Sequence, residues 1–160
     1  VSFADPLKEM LRAIGLTDEH LFGSLKGEPL RRLCGVTPRR AMQTLGTEWG
    51  RMLIHKELWT QLWWETARPI LAQLEGKVVT DDLRYPNEAG AVRERGGGIW
   101  RIYRPGTASE EHTSEALIDS IRPDRYIDND GPVESLDSIV NAIISSSTDP
   151  QSAAGDARTT

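Results

Sequence analysis

One stretch constrains this chain more than any other: Val78-Val79-Thr80 follows a Gly76-Lys77 turn and runs directly into Asp81-Asp82-Leu83-Arg84-Tyr85-Pro86-Asn87-Glu88-Ala89. A short β-branched run bounded by turn residues reads as a buried strand, and open α/β sheets gather ligand-binding groups where such strands end at their carboxyl side. In an extended segment residues two apart share a face, so Asp82 and Arg84 point the same way while Leu83 turns toward the core. Glu88 then opens the next helix. A solvated turn with local ion pairs has the same composition, so the segment acquires meaning only beside a second constellation.

That constellation is Thr37-Pro38-Arg39-Arg40-Ala41-Met42-Gln43-Thr44-Leu45-Gly46. Thr37 is placed to cap a helix whose first position is Pro38, where the missing N–H costs nothing. Arg39 and Arg40 then fall in the first turn, where the helix dipole disfavours a cation by roughly 0.3–1 kcal/mol. An anion resolves the conflict, since exposed N–H groups and guanidinium forks together suit a phosphate or carboxylate. The ordinary alternative, in which both arginines pair with nearby glutamates or face water, stays open at this point.

Alternation of strand and helix patterns places the chain in the α/β class, with a largely parallel sheet flanked by helices. Phe3-Ala4 is expected to end a first strand. Asp5-Pro6 starts a helix with Leu7, Met10, Leu11 and Ile14 on one stripe and Gly15 at its close; Asp5 reads as a cap and Lys8 as solvent-facing. Helical patterning covers residues 39–46 and 55–66, and Pro69 separates a short helix over 70–74. A helix over 87–95, strands over 99–104 and 126–128, and a helix over 133–144 follow. Residues 145–160 carry little to bury and read as a disordered tail.

Composition narrows the function classes. A net charge of −5 argues against a general nucleic-acid surface, so a nucleotide would be held in a pocket. One cysteine, Cys34, permits no intrachain disulfide, and its place before Gly35 suits a packed thiol better than a nucleophile. His20, His55 and His112 lack ligand spacing for zinc. No stretch approaches the roughly 20 apolar residues of a membrane span, and the amino terminus is no signal peptide, so a cytoplasmic protein is expected.

Taken in order, the opening Val1-Ser2-Phe3-Ala4-Asp5-Pro6-Leu7-Lys8, the run Leu45-Gly46-Thr47-Glu48-Trp49-Gly50-Arg51, the segment from Thr80 to Ala89, the stretch 101–105, His112-Thr113-Ser114-Glu115 and Asn129-Asp130-Gly131 carry a family likeness. On these residues the chain resembles bacteriophage-type deoxynucleoside monophosphate kinases over nearly all of residues 1–144. The resemblance implies a P-loop α/β kinase moving the γ-phosphoryl of ATP, with Mg²⁺, onto a deoxynucleoside monophosphate. Residues 37–68 are implied as the acceptor-binding helices and 104–116 as a lid-like region.

The same resemblance implies the site residues. Arg39, Arg40, Gln43, Gly46, Thr47, Trp59 and Glu88 match positions that hold the acceptor; Gln43 stands where relatives can carry an acid. Asp82 and Arg84 match the catalytic acid and arginine, Arg104 and His112 approach the donor phosphates, and Asp81 or Asp82 is placed to hold the metal through water. A homodimer is left open.

One departure concerns the donor. A phosphate-cradling run G-x-x-x-x-G-K-[ST] is absent from these residues: Gly23-Ser24-Leu25-Lys26-Gly27 lacks the spacing, and Gly76-Lys77 leads into a strand. The strand, loop and helix that the family carries before the segment matching residues 1–5 do not occur in these residues, with two alternatives open: they lie upstream of Val1, or the donor site has been lost. The expectation is a chain that supplies the acceptor half of the site and is a weak kinase alone. The alternative is a non-catalytic nucleotide-binding or partner-binding domain.

Overall fold

The computed structural model describes residues 1–74, 76–106 and 117–147; His112, most of the lid-like region and residues 148–160 lie outside them. Helix α1 (Asp5–Ala13) has Pro6 in its first turn and closes at Gly15, whose φ of +90° suits a residue without a Cβ. Its buried stripe is narrower than the sequence suggests. Leu7 and Leu11 enter the core, whereas Met10 lies at the surface and Ile14, already past the last helical turn, is half exposed. Helix α2 (Asp18–Leu21) and two 3₁₀ turns, Ser24–Gly27 and Arg31–Leu33, lead to α3 (Pro38–Thr44).

Thr37 caps α3 as its sequence predicts, its hydroxyl oxygen accepting from the Arg40 amide at 3.1 Å. The helix does not stop near Gly46. It passes without interruption into a π-helix, Leu45–Ile54, a wide form that is uncommon and concentrates at functional sites. The physical reason lies in α4 (Leu58–Leu71). The Trp59 indole donates to the Gly46 carbonyl at 2.8 Å, and a Cβ on Gly50 would overlap the Trp59 ring. Gly46 and Gly50 therefore serve as a close-approach surface, and tertiary packing overrides their low helix propensity.

Helix α4 aligns Trp59, Trp63 and Ala67 at intervals of four on its buried side. It runs through Pro69 instead of dividing there, because a proline in the last turn removes only one helical hydrogen bond. Trp59 joins Leu7, Leu11, Leu16 and Leu21 in one core cluster, while Trp63 and Ala67 join Phe3 and Ala91 in a second. A third, Ala89, Ile99 and Ile121, meets the second through Leu83 and Val92.

The expected strands at the two ends of the first half are not formed. Residues 76–80 carry no regular secondary structure and belong to no ladder, and Val79 is 81 % exposed. Phe3 and Ala4 lie in a turn. Polar ties take up the groups that strand pairing would have used: the Val1 ammonium donates to the Val79 carbonyl at 3.1 Å, and Trp63 donates to the Thr80 hydroxyl, which in turn donates to the Val1 carbonyl. The Phe3 and Ala4 amides are bound by a side chain described below.

Helix α5 (Pro86–Arg93) leads to β1 (Trp100–Tyr103), which pairs in parallel with β2 (Arg125–Asp128) in the register Trp100 to Arg125 and Tyr103 to Asp128. Asp124 secures the entry to this pair, accepting from the Ile99 amide at 2.8 Å while its own amide donates to the Ile99 carbonyl. The last helix, α6 (Val133–Ser147), continues three residues beyond the expected end at 144. Among the described residues the architecture is thus α/β, with a two-stranded parallel sheet and flanking helices.

Candidate functional site

A cleft of about 280 Å³ opens between the start of α1, the α3–π-helix segment and the turn that enters α5. This is near the lower end, about 300 Å³, of small-molecule sites. Arg39, Gln43, Gly46 and Thr47 reach it from one side at the spacing i, i+4, i+7, i+8, a single helical face. Asp82, Arg84 and Glu88 reach it from the other, and Trp59 contributes apolar surface with Phe3 and Leu7. Eight residues singled out in the sequence, from segments up to 49 positions apart, therefore share one cavity wall.

Others do not. Arg40, one position on from Arg39, is exposed and is not a cleft residue, with Nη2 4.0 Å from Glu48 Oε1. Asp81 and Arg104 are exposed and are not cleft residues. His112 lies outside the described residues.

Asp82 is heavily engaged. Its Oδ1 accepts from the Phe3 amide at 2.9 Å, and its Oδ2 accepts from the Ala4 amide at 2.9 Å and from the Ser2 hydroxyl. The carboxylate thus clamps the amino-terminal segment to the turn wall of the cleft. Asp82 thus carries three N–H and O–H donors and Asp81 lies outside the cleft, so the two acids do not share one face of the site. Among the described residues no group of three His, Cys, Asp or Glu side chains is disposed to hold a metal ion.

Glu88 is 2 % exposed and equally engaged. Its Oε2 accepts from the Arg84 amide at 2.8 Å and the Tyr85 amide at 3.0 Å, closing the first turn of α5, and its Oε1 accepts from Arg51 Nη2. Burial raises the Glu88 pKa above the ordinary 4.5; the two amides and Arg51 restrain the rise, and the Asp82 charge adds to it. Glu88 therefore sets the backbone on which Arg84 stands.

Four cleft residues escaped the sequence reading: Lys8, Lys26, Arg51 and Tyr85. Lys8, expected to face solvent, lines the cleft, with its ammonium 4.2 Å from the Phe22 ring centroid. Arg51 follows Thr47 by four, a spacing that could have found it once the helix was known to continue. Tyr85 stacks beneath the Arg51 guanidinium at 3.8 Å and its hydroxyl lies 3.3 Å from that of Thr47. In all, five cationic side chains and two carboxylates line the cleft of a chain whose net charge is −5. A cleft lined mainly by one sign of charge raises the local concentration of ligands of the opposite sign.

The comparisons with known proteins agree with this chemistry. The model of the family "Deoxynucleotide monophosphate kinase" matches residues 35–140, which include both walls of the cleft. A protein of Acanthamoeba polyphaga mimivirus named "Putative deoxynucleotide monophosphate kinase" is 36% identical over 135 residues, covering 76% of this chain and 69% of the relative. The "Deoxynucleotide monophosphate kinase" of Escherichia phage RB69 is 30% identical over 107 residues, 66% of this chain and 44% of its own length. The "Deoxynucleoside-5'-monophosphate kinase" of Escherichia phage T5 is 34% identical over 59 residues, 37% of this chain and 22% of its own. The chain thus spans less than half the length of either phage relative, and no solved structure matches it. No helix among the described residues is long and apolar enough to cross a membrane. By the extent of the family match and of the mimivirus likeness, the chain belongs to the deoxynucleotide monophosphate kinase family.

Proposed function

We propose that the cleft holds the acceptor of a phosphoryl transfer, a deoxynucleoside monophosphate that becomes the diphosphate, with ATP as the donor that kinase relatives imply. The observation that carries this reading is the charge of the cleft: five cations converge there against two carboxylates, of which Asp82 is bound by backbone amides and Glu88 is paired with one of the five, Arg51. Phosphoryl transfer asks a protein chiefly for positioning and charge neutralisation, and little covalent chemistry.

In this reading Arg39 and Arg84, one from each wall, hold the acceptor phosphate and reduce its repulsion of the incoming donor phosphates. Gln43, one turn beyond Arg39, offers an amide to the base edge, and Thr47 offers a hydroxyl. Trp59 backs the helical wall and, through its bond to the Gly46 carbonyl, keeps that backbone close to the acceptor. Asp82 and Glu88 hold the turn that presents Arg84.

A second reading, a nucleotide-binding chain without phosphoryl transfer, is favoured by one observation: both carboxylates of the cleft are bound by protein donors. One experiment addresses both. The chain is titrated calorimetrically with each deoxynucleoside monophosphate and with ATP, and transfer of labelled phosphate is followed in parallel. Monophosphate binding that Arg39→Ala and Arg84→Ala each weaken at least tenfold, with the fold intact by circular dichroism, supports the acceptor site. Binding without transfer leaves the acceptor site standing and shows that these 160 residues do not carry out the transfer by themselves, and wild-type affinity in both variants overturns the site.

A further inference from the structure

Arg51 is the cleft residue whose arrangement stability alone does not explain. Its guanidinium has one edge on Glu88, through Nη2, and one face on the Tyr85 ring at 3.8 Å. Glu88 in turn binds the Arg84 and Tyr85 amides, and Tyr85 reaches Thr47. Arg51 therefore sits on the π-helix at the point where its wall and the turn wall meet. The Nε and Nη1 atoms, however, are shielded from solvent and have no hydrogen-bond partner among the described residues.

Buried charged donors without acceptors are costly, and each such group in a native protein calls for an explanation. A pair retained only to stabilise the fold would be better served by an aliphatic side chain or by a fully bonded network. What the planar guanidinium achieves here is geometric: it joins an ion pair and a stack in one rigid unit, which a lysine cannot do.

Resting on the acceptor reading above, we propose that Arg51 is a positioning residue for the acceptor. Acting through Glu88 and Tyr85, it fixes the separation and relative orientation of Arg84 on one wall and Thr47 on the other. A misplacement of about 1 Å in such positioning groups can lower function a hundredfold. The wide turn of the π-helix contributes by presenting Thr47 and Arg51 to the cleft in succession.

The test uses the full chain and four proteins: wild type, Arg51→Lys, Arg51→Met and Arg51→Met combined with Glu88→Gln. The double variant removes both buried charges, so a fold that needed only charge balance recovers in it. Deoxynucleoside monophosphate affinity is read by calorimetry, and exchange protection of the Arg84 and Tyr85 amides by hydrogen exchange. The proposal expects at least a tenfold loss of affinity in Arg51→Lys and in the double variant, while the melting temperature of the double variant stays near wild type. It also expects faster exchange at Arg84 and Tyr85 in Arg51→Lys.

Near-wild-type affinity in a folded double variant overturns the proposal and leaves the acceptor reading intact. If the double variant does not fold, Arg51→Lys decides: wild-type affinity there overturns the proposal, and a tenfold loss with faster exchange sustains it. A wild-type chain that binds no deoxynucleoside monophosphate overturns the acceptor reading and this proposal with it.

Discussion

The two walls of the cleft are held by different physics. The helical wall, α3 and the π-helix, rests on a closed apolar cluster in which Leu21 is 0 % and Trp59 is 1 % exposed. The turn wall rests on side chains bonding to backbone: Asp82 to residues 2–4, Glu88 to residues 84 and 85, and the Trp63–Thr80–Val1 chain. Beyond it the surface is open, with Val79, Ile102, Tyr103 and Tyr126 all more than half exposed. Packing provides a rigid wall that tolerates few volume changes, and hydrogen-bonded clamps set a turn whose position depends on a few polar atoms. The residues proposed to hold the acceptor are divided between the two.

Substitutions can break or sharpen this contrast. The largest effect is expected on the packed side. Trp59→Ala removes a fully buried ring together with its bond to Gly46 and should destabilise the chain by about 3–5 kcal/mol in denaturant unfolding. Asp82→Ala comes next, at about 2 kcal/mol, because it strands the Phe3 and Ala4 amides; hydrogen exchange at those amides should accelerate while that of α4 is unchanged. Equal losses of α4 protection in both variants would show that the walls are not separately held.

Glu88 supplies a pH test of the clamp. Because burial raises its folded pKa above 4.5, the folded chain binds this proton more tightly than the unfolded chain does. Its contribution to stability is therefore most favourable below pH 4.5 and declines as pH rises through the raised value. Glu88→Gln removes that decline, so the stability of wild type relative to the variant should fall with rising pH in thermal melts. A difference that grows with pH would mean that Arg51 and the amides outweigh burial. The smallest effect is expected at Val79→Lys, within about 0.5 kcal/mol, since that side chain is 81 % exposed.

How much of this was legible in the chain follows the same division. Caps and charge placement are local, and they placed Thr37 at the start of α3 and Arg39 in its first turn, whereas Gln43 and Thr47 were implied only by the family resemblance. The Thr80–Ala89 segment likewise announced a site edge. What sequence could not show depended on distant partners. Helical patterning was legible only to Gly46; the π-helix beyond it, which carries Arg51, rests on Trp59 packing against Gly46 and Gly50. The strands expected at Phe3-Ala4 and Val78-Val79 have the right composition, but strands exist only by pairing, and Asp82 and Thr80 bind the backbone there instead. Pro69 misled similarly, since a proline near a helix end costs little.

The most direct test of the account is residue-resolved: amide NMR spectra of the chain, recorded while a deoxynucleoside monophosphate is added. The account expects shift changes concentrated in residues 39–51 and 82–88, with the β1–β2 pair, residues 100–103 and 125–128, unperturbed. Changes confined to the sheet, or no changes at ligand concentrations well above those at which monophosphate kinases work, would contradict an acceptor site between the two walls.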